Sequence, residues 1–169
     1  MIYSDVKYWV EHLNMKAHPE GGYFVEVYRS SEAIPQGALP SRYTGDRAFC
    51  TSIFYLLEKG DFSTFHRIAS DETLHFYAGE PLDVHILDGG RYVRISLGRQ
   101  IDRGQHLQFT IRAGAWFAAA PASDSAYSLI GCTVAPGFEF ADFEMASRAA
   151  LLAEYPDAAE VIRAHTRIE

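Results

Sequence analysis

From Arg47 to Thr133 the sequence is a succession of short apolar runs separated by turn residues, with no helical periodicity between them. Asp88-Gly89-Gly90 is a strong hairpin signal between Asp83–Leu87 and Tyr92–Ser96. Further breaks fall at Gly98–Gly104, Ala113-Gly114 and Pro121–Ser125, before a last strand at Tyr127–Val134. Many short strands without intervening helices predict a sandwich or barrel and argue against a parallel α/β sheet. Aromatic residues, at 14%, are abundant and fit that bias, because Phe and Tyr favour pleated surfaces.

The ends differ in character. Residues 4–14 read as a helix capped by Ser4, with Val6, Trp9, Val10 and Leu13 on one face and Asn14 as its stop. Beyond Pro136-Gly137, Asp142 is expected to cap a helix carrying Met145, Ala149 and Leu152, and Pro156 to start a final short one reaching Ala164. The reading is one domain over 1–169, with an all-β core at 18–143 and flanking helices at 4–14 and 142–164.

A net charge of −7 with scattered basic residues argues against nucleic acid as a partner. No apolar window is long enough to span a membrane, and the N-terminus lacks a signal-peptide pattern, so a cytoplasmic location is expected. Cys50 and Cys132 lie in separate apolar runs and read as reduced core thiols.

The chemistry concentrates in residues 60–79. If Phe62–Ile68 is a strand, Thr64, His66 and Ile68 share a face. A turn at Ala69–Asp71 then brings Glu72, Leu74 and Phe76 to the facing side. An imidazole and a carboxylate meeting in an apolar cavity either bind a divalent metal or form an acid/base pair with shifted pKa values. His75 is a third candidate, but alternation sets it on the face opposite Glu72 unless a bulge turns it inward. Upstream, Gly21-Gly22 opens a strand in which Phe24, Glu26 and Tyr28 share a face. That face is either a cavity wall or a solvated edge. The Pro- and Gly-containing loop at 30–46 is long enough for a lid or a crossing arm. Arg29, Arg67 and Arg112 could each meet an anion or lie at the surface, and Trp116 and Phe76 could each line the pocket or the core.

These residues resemble a known family. Gly60, His66, Glu72 and Gly79 fall on the spacing of the first cupin metal motif, with Ile68 at its second histidine position. Arg112-Ala-Gly114-Ala-Trp116-Phe117 is similar to the second motif, with Phe117 at its histidine position. The segments His18-Pro-Glu-Gly-Gly-Tyr-Phe24, Tyr28-Arg29-Ser30, Phe65-His-Arg67, His75-Phe-Tyr-Ala-Gly79 and Gly131–Phe138 resemble the cupin-five branch, long described as a domain of unknown function. In one departure, Leu74 stands where that branch usually has Trp.

The resemblance implies a double-stranded β-helix, or jelly roll, similar to the sugar-nucleotide 3,5-epimerases, and a homodimer. It implies a small-molecule ligand, and the epimerase likeness makes a metal-free isomerase or epimerase the leading expectation. In that reading His66, Glu72 and His75 are catalytic, and Tyr23, Tyr28, Tyr77 or Tyr127 supplies the acid. Glu26, Tyr28, Arg67, Phe76 and Trp116 bind ligand. No cofactor is expected. The alternatives are a metal-dependent enzyme using His66 and Glu72 as a reduced ligand set, and a non-catalytic metabolite-binding module.

Overall fold

The computed structural model describes residues 5–122 and 127–167. In chain order its strands are β1 (Lys16–Ala17), β2 (Tyr23–Arg29), β3 (Ala33–Ile34), β4 (Arg47–Ala48), β5 (Thr51–Glu58), β6 (Ser63–Arg67), β7 (Asp71–Gly79), β8 (Leu82–Asp88), β9 (Arg91–Leu97), β10 (Gln108–Ile111), β11 (Trp116–Pro121), β12 (Tyr127–Ala135) and β13 (Glu144–Met145). The helices are α1 (Val6–His12), α2 (Arg148–Glu154) and α3 (Ala159–Ala164).

Two antiparallel sheets face one another. One has the order β1-β2-β5-β12-β7-β10, the other β13-β6-β11-β8-β9. Apart from the antiparallel pairs β1–β2, β3–β4 and β8–β9, each strand and the next lie in different sheets, so the chain winds as an all-β double-stranded β-helix. The Asp88-Gly89-Gly90 turn joins β8 to β9 as the sequence predicts, and both glycines take positive φ. The loop at 30–46 forms an arm: β3 pairs with β4, and Tyr43 is buried with its hydroxyl 2.9 Å from Ser70 Oγ.

Alternation along β5 explains the layering. Tyr55 and Leu57 point between the sheets and join Leu74, Val84, Ile86, Phe117 and Ile130 in the central core. Leu56 points outward and is covered by α1 through Trp9, Val10 and Leu13. On the other sheet Phe65, Leu87 and Trp116 point outward under Leu151, Tyr155 and Ile162 of the C-terminal helical segment. The terminal helices therefore roof the two outer faces, each burying an apolar stripe that a bare sheet would leave in water.

The helix boundaries depart from the sequence reading. Asp5 caps α1, accepting from the Lys7 backbone N–H at 3.0 Å; Ser4 lies outside the described residues. Asn14 does end the helix, in the left-handed region at φ 53°. Asp142 caps nothing. It sits in a short 3-10 turn, bound to Arg47, and α2 starts later, after Ser147. A buried guanidinium outcompetes backbone amides for its carboxylate.

Candidate functional site

At one end of the core the sheets part around a cavity of about 110 Å³. Its walls are Phe24 and Glu26 of β2, Thr51, Ile53 and Tyr55 of β5, Cys132 and Val134 of β12, and Glu72 of β7. His66 and Ile68 enter from the opposite sheet side, and the segment Phe138–Phe143 closes the mouth.

His66 and Glu72 both reach this cavity and both are buried. The direct carboxylate partner of His66, however, is Glu20, whose Oε2 lies 3.0 Å from His66 Nδ1. The same nitrogen is 2.8 Å from the Thr64 carbonyl oxygen. A carbonyl can only accept, so Nδ1 carries the proton and Nε2 is left with the lone pair in the neutral ring. Phe117 packs against the ring at 4.0 Å between centroids.

Glu20 sits in the turn between His18 and Gly22, where periodicity carries no information. The turn is pressed into the barrel because both following residues are glycine. At Gly21 (φ 119°) a Cβ would lie 2.2 Å from the Phe62 carbonyl oxygen, and at Gly22 (φ 69°) 2.4 Å from that of Leu56. Tyr55 locks the turn by donating its hydroxyl to the Gly21 carbonyl at 2.6 Å. The backbone N–H of Glu20 donates to His18 Nδ1 at 3.3 Å, so that nitrogen is the unprotonated one in His18. The His-Pro-Glu-Gly-Gly stretch with its paired glycines was the signal available for Glu20. For Tyr55 it was alternation with Ile53 along β5.

Burial sets the protonation of the group. It raises Glu72 to about 7, against the pull of His66, and it also raises Glu20. It lowers His66 despite the Glu72 charge and the Thr64 carbonyl, and it lowers His18 despite Glu20. Near neutral pH the imidazoles are therefore lone-pair bases, and Glu72 holds its proton far more readily than an ordinary carboxylate. Cys132 beside it is held as a thiol, pushed well up by burial and by the Glu72 charge.

The mouth is built from Arg29. Its guanidinium meets the Glu26 carboxylate at 3.1 and 2.8 Å, Glu139 at 2.7 Å and the Phe138 carbonyl at 3.3 Å. Arg29 reaches the cavity because β2 carries a bulge. Glu26 pairs with Ile53 but Tyr28 pairs with Ser52, so Val27 is the extra residue. Before the bulge Phe24 and Glu26 face in; after it Arg29 faces in.

That bulge turns Tyr28 away from the position that simple alternation gives it: it is 54% exposed on the outer face. His75 also lies outside the cavity, 3.2 Å from Thr133 Oγ1, because the β7 irregularity comes after it, near Tyr77. Arg67 pairs with Glu144 at 2.7 Å and lies over the Trp116 ring at 4.2 Å. Trp116 itself belongs to the layer under the C-terminal helices, since its neighbour Phe117 takes the inward face. Phe76 faces the core but lies roughly 13 Å along β7 from Glu72 at ~3.3 Å per residue, beside Arg99. Of the proposed tyrosine acids, Tyr23 and Tyr127 pack in the α1 layer, while Tyr28 and Tyr77 are exposed. Arg112 lines a separate groove.

A cupin-type metal does not fit these residues. Apolar Ile68 lines the cavity and the Phe117 ring packs against His66, so the two positions where the cupin motifs carry histidine offer no donor. Among the described residues no three His, Cys, Asp or Glu side chains are grouped so as to hold a metal ion.

A jelly roll with a closed-off end holding buried acids and imidazoles defines the chain as a cupin-type barrel. The family described as "Cupin superfamily (DUF985)" matches residues 7–146, and the chain belongs to it. A hypothetical protein from Leishmania major is 32% identical with a TM-score of 0.86, covering 98% of this chain and 100% of its own. A protein from Shewanella oneidensis is 35% identical with a TM-score of 0.87, covering 98% and 99%. Oxalate decarboxylase from Bacillus subtilis shares the fold alone, at 14% identity and a TM-score of 0.53 over 90% of this chain and 37% of its own. A comparison with curated proteins gave no significant match. Among the described residues no helix is long and apolar enough to cross a membrane.

Proposed function

We propose that this cupin binds a small polar metabolite in the cavity around His66 and isomerises or epimerises it by metal-independent acid/base chemistry. The observation that carries the reading is the fixed tautomer of His66. With its Nδ1 proton directed at Thr64 and Glu20, its Nε2 lone pair is available to take a proton from a carbon beside a carbonyl. Glu20, rather than Glu72, is the orienting carboxylate. It steadies the imidazolium that forms when the base is protonated.

Glu72 supplies the acid. Its pKa near 7 keeps it substantially protonated at neutral pH while His66 is held neutral, so burial reverses the ordinary order of the pair and assigns the proton to Glu72 and the free base to His66. Tyr55 is less suited, because burial holds its hydroxyl well above its ordinary pKa and its proton is given to Gly21.

The test is solvent exchange. Small aldoses, ketoses and other α-substituted carbonyl compounds are incubated with the protein in D2O, and deuterium entry at carbon is followed by NMR. Exchange with at least one compound is expected, falling about 10²–10⁴-fold in His66→Ala, the range of a lost general base. Full exchange by His66→Ala would sink the proposal. Binding without exchange across the panel would favour the non-catalytic module.

A further inference from the structure

We infer that the ligand of this cavity is a small organic cation, an amine whose ammonium is held among carboxylates and aromatic rings. This deepens the reading above and rests on the cavity being the ligand site. Four acidic side chains line it: Glu20 and Glu72 inside, both pushed by burial toward the neutral form, and Glu26 and Glu139 at the mouth, both paired with Arg29. Among the described lining residues Arg29 is the one arginine or lysine, and four of its five N–H donors are already committed to Glu26, Glu139 and the Phe138 carbonyl. An incoming carboxylate or phosphate would find no donor fork free and would have to displace two acids from Arg29. The charge balance at the mouth is one negative in excess.

The remaining wall is aromatic. Phe138, Phe140 and Phe143 pack edge-to-face, with centroid separations of 5.1–6.3 Å, and Phe140 stacks with His18 at 6.4 Å. Phe140 is 56% exposed, an apolar ring standing in water at the entrance. Aromatic faces carry negative potential and attract ammonium groups, more strongly where water is excluded. Carboxylates and rings together select for a cation with an apolar body, and both select against an anion.

The charge preference is read with three probes on one four-carbon skeleton: isobutylamine, isobutanol and isobutyrate. Each is titrated into the ¹⁵N-labelled protein, and amide shifts are mapped. Isobutylamine is expected to shift resonances of Ile53, Glu72 and the 138–143 segment at concentrations at least about tenfold below isobutanol, with isobutyrate silent. In Glu26→Gln/Glu139→Gln the amine loses that advantage, and the released Arg29 begins to bind isobutyrate. Cavity shifts from isobutanol or isobutyrate equal to those from the amine would overturn the cation inference and leave the His66 chemistry standing. If none of the three perturbs the cavity, the inference and the site reading fall together.

Discussion

His66 Nδ1 lies 3.0 Å from the carboxylate of Glu20, a residue 46 positions earlier that reaches it from a turn. The two form a dyad: one group holds the ring, the other presents a lone pair. Long-range ¹H–¹⁵N spectra should show His66 as the Nδ1–H tautomer above its titration, which should fall below 6.5 because burial opposes the imidazolium. Glu20→Gln removes a negative charge in contact with the ring, so the titration should move lower still. An Nε2–H tautomer in the wild-type protein would remove the basis for His66 as the base.

Glu72 makes stability depend on pH in a direction opposite to most acids. Its folded pKa, about 7, is above the ordinary 4.5. The fold thus favours the protonated form. That contribution is whole below pH 4.5 and is lost as pH rises through 7. Glu72→Gln keeps the shape without the charge. Relative to its own difference at pH 4, the variant should gain on the order of 3 kcal/mol over wild type by pH 8, at ~1.4 kcal/mol per pKa unit. The lowered His18 and His66 have the reverse sign, losing stability as pH falls below 6.5; the His18 shift is common to both proteins, while His66 is lowered further in the variant, which lacks the Glu72 charge. Urea midpoints across pH 4–8 check this; a pH-independent difference would mean that Glu72 is ionised at no cost.

How far the sequence reached depended on whether a residue sits on a regular strand. Alternation places His66, Glu72, Leu74 and Phe76 on inner faces, and the Asp88-Gly89-Gly90 hairpin lies where its glycines put it. Alternation fails at one inserted residue: the Val27 bulge exchanges Tyr28 for Arg29 at the cavity mouth. It has no hold on Glu20, whose position comes from a glycine turn wedged against β5 and the chain before β6. The inward or outward sense of a strand buried on both sides is also invisible locally. Trp116 and Phe117 are both buried, and only the helices over one face decide which of them meets His66.

The free edge of β2 is the expected dimer surface. β1 covers β2 only at Tyr23 and Phe24, leaving the far half of the strand without a ladder partner on that side among the described residues. Val27 is 50% exposed there, and Tyr28 54%. An open edge with apolar side chains invites a second strand. Light scattering after size exclusion should give a homodimer at micromolar concentration. Val27→Lys/Tyr28→Lys should give a folded monomer. A wild-type protein that stays monomeric at high concentration would remove this assignment.

The aromatic segment over the cavity is tied down by one buried ion pair. Arg47 Nε and Nη2 meet the two Asp142 carboxylate oxygens at 2.6 and 2.5 Å, with both side chains under 5% exposed. Such a pair adds little over well-packed apolar residues, but removing one partner strands a charge in the interior at a cost of about 3–5 kcal/mol. Asp142→Ala should therefore lower Tm by roughly 10 °C, taking ~2–4 °C per kcal/mol for a chain of this size. Arg47→Met/Asp142→Leu should recover most of that loss while leaving the 138–143 segment without its directional anchor. In the double variant, hydrogen exchange of the Phe140 and Phe143 amides should rise although global stability is restored. If exchange there stays at the wild-type rate, the pair stabilises the fold without positioning the mouth, and the Arg29 contacts to Glu139 and Phe138 together with the aromatic packing hold Phe140 beside His18.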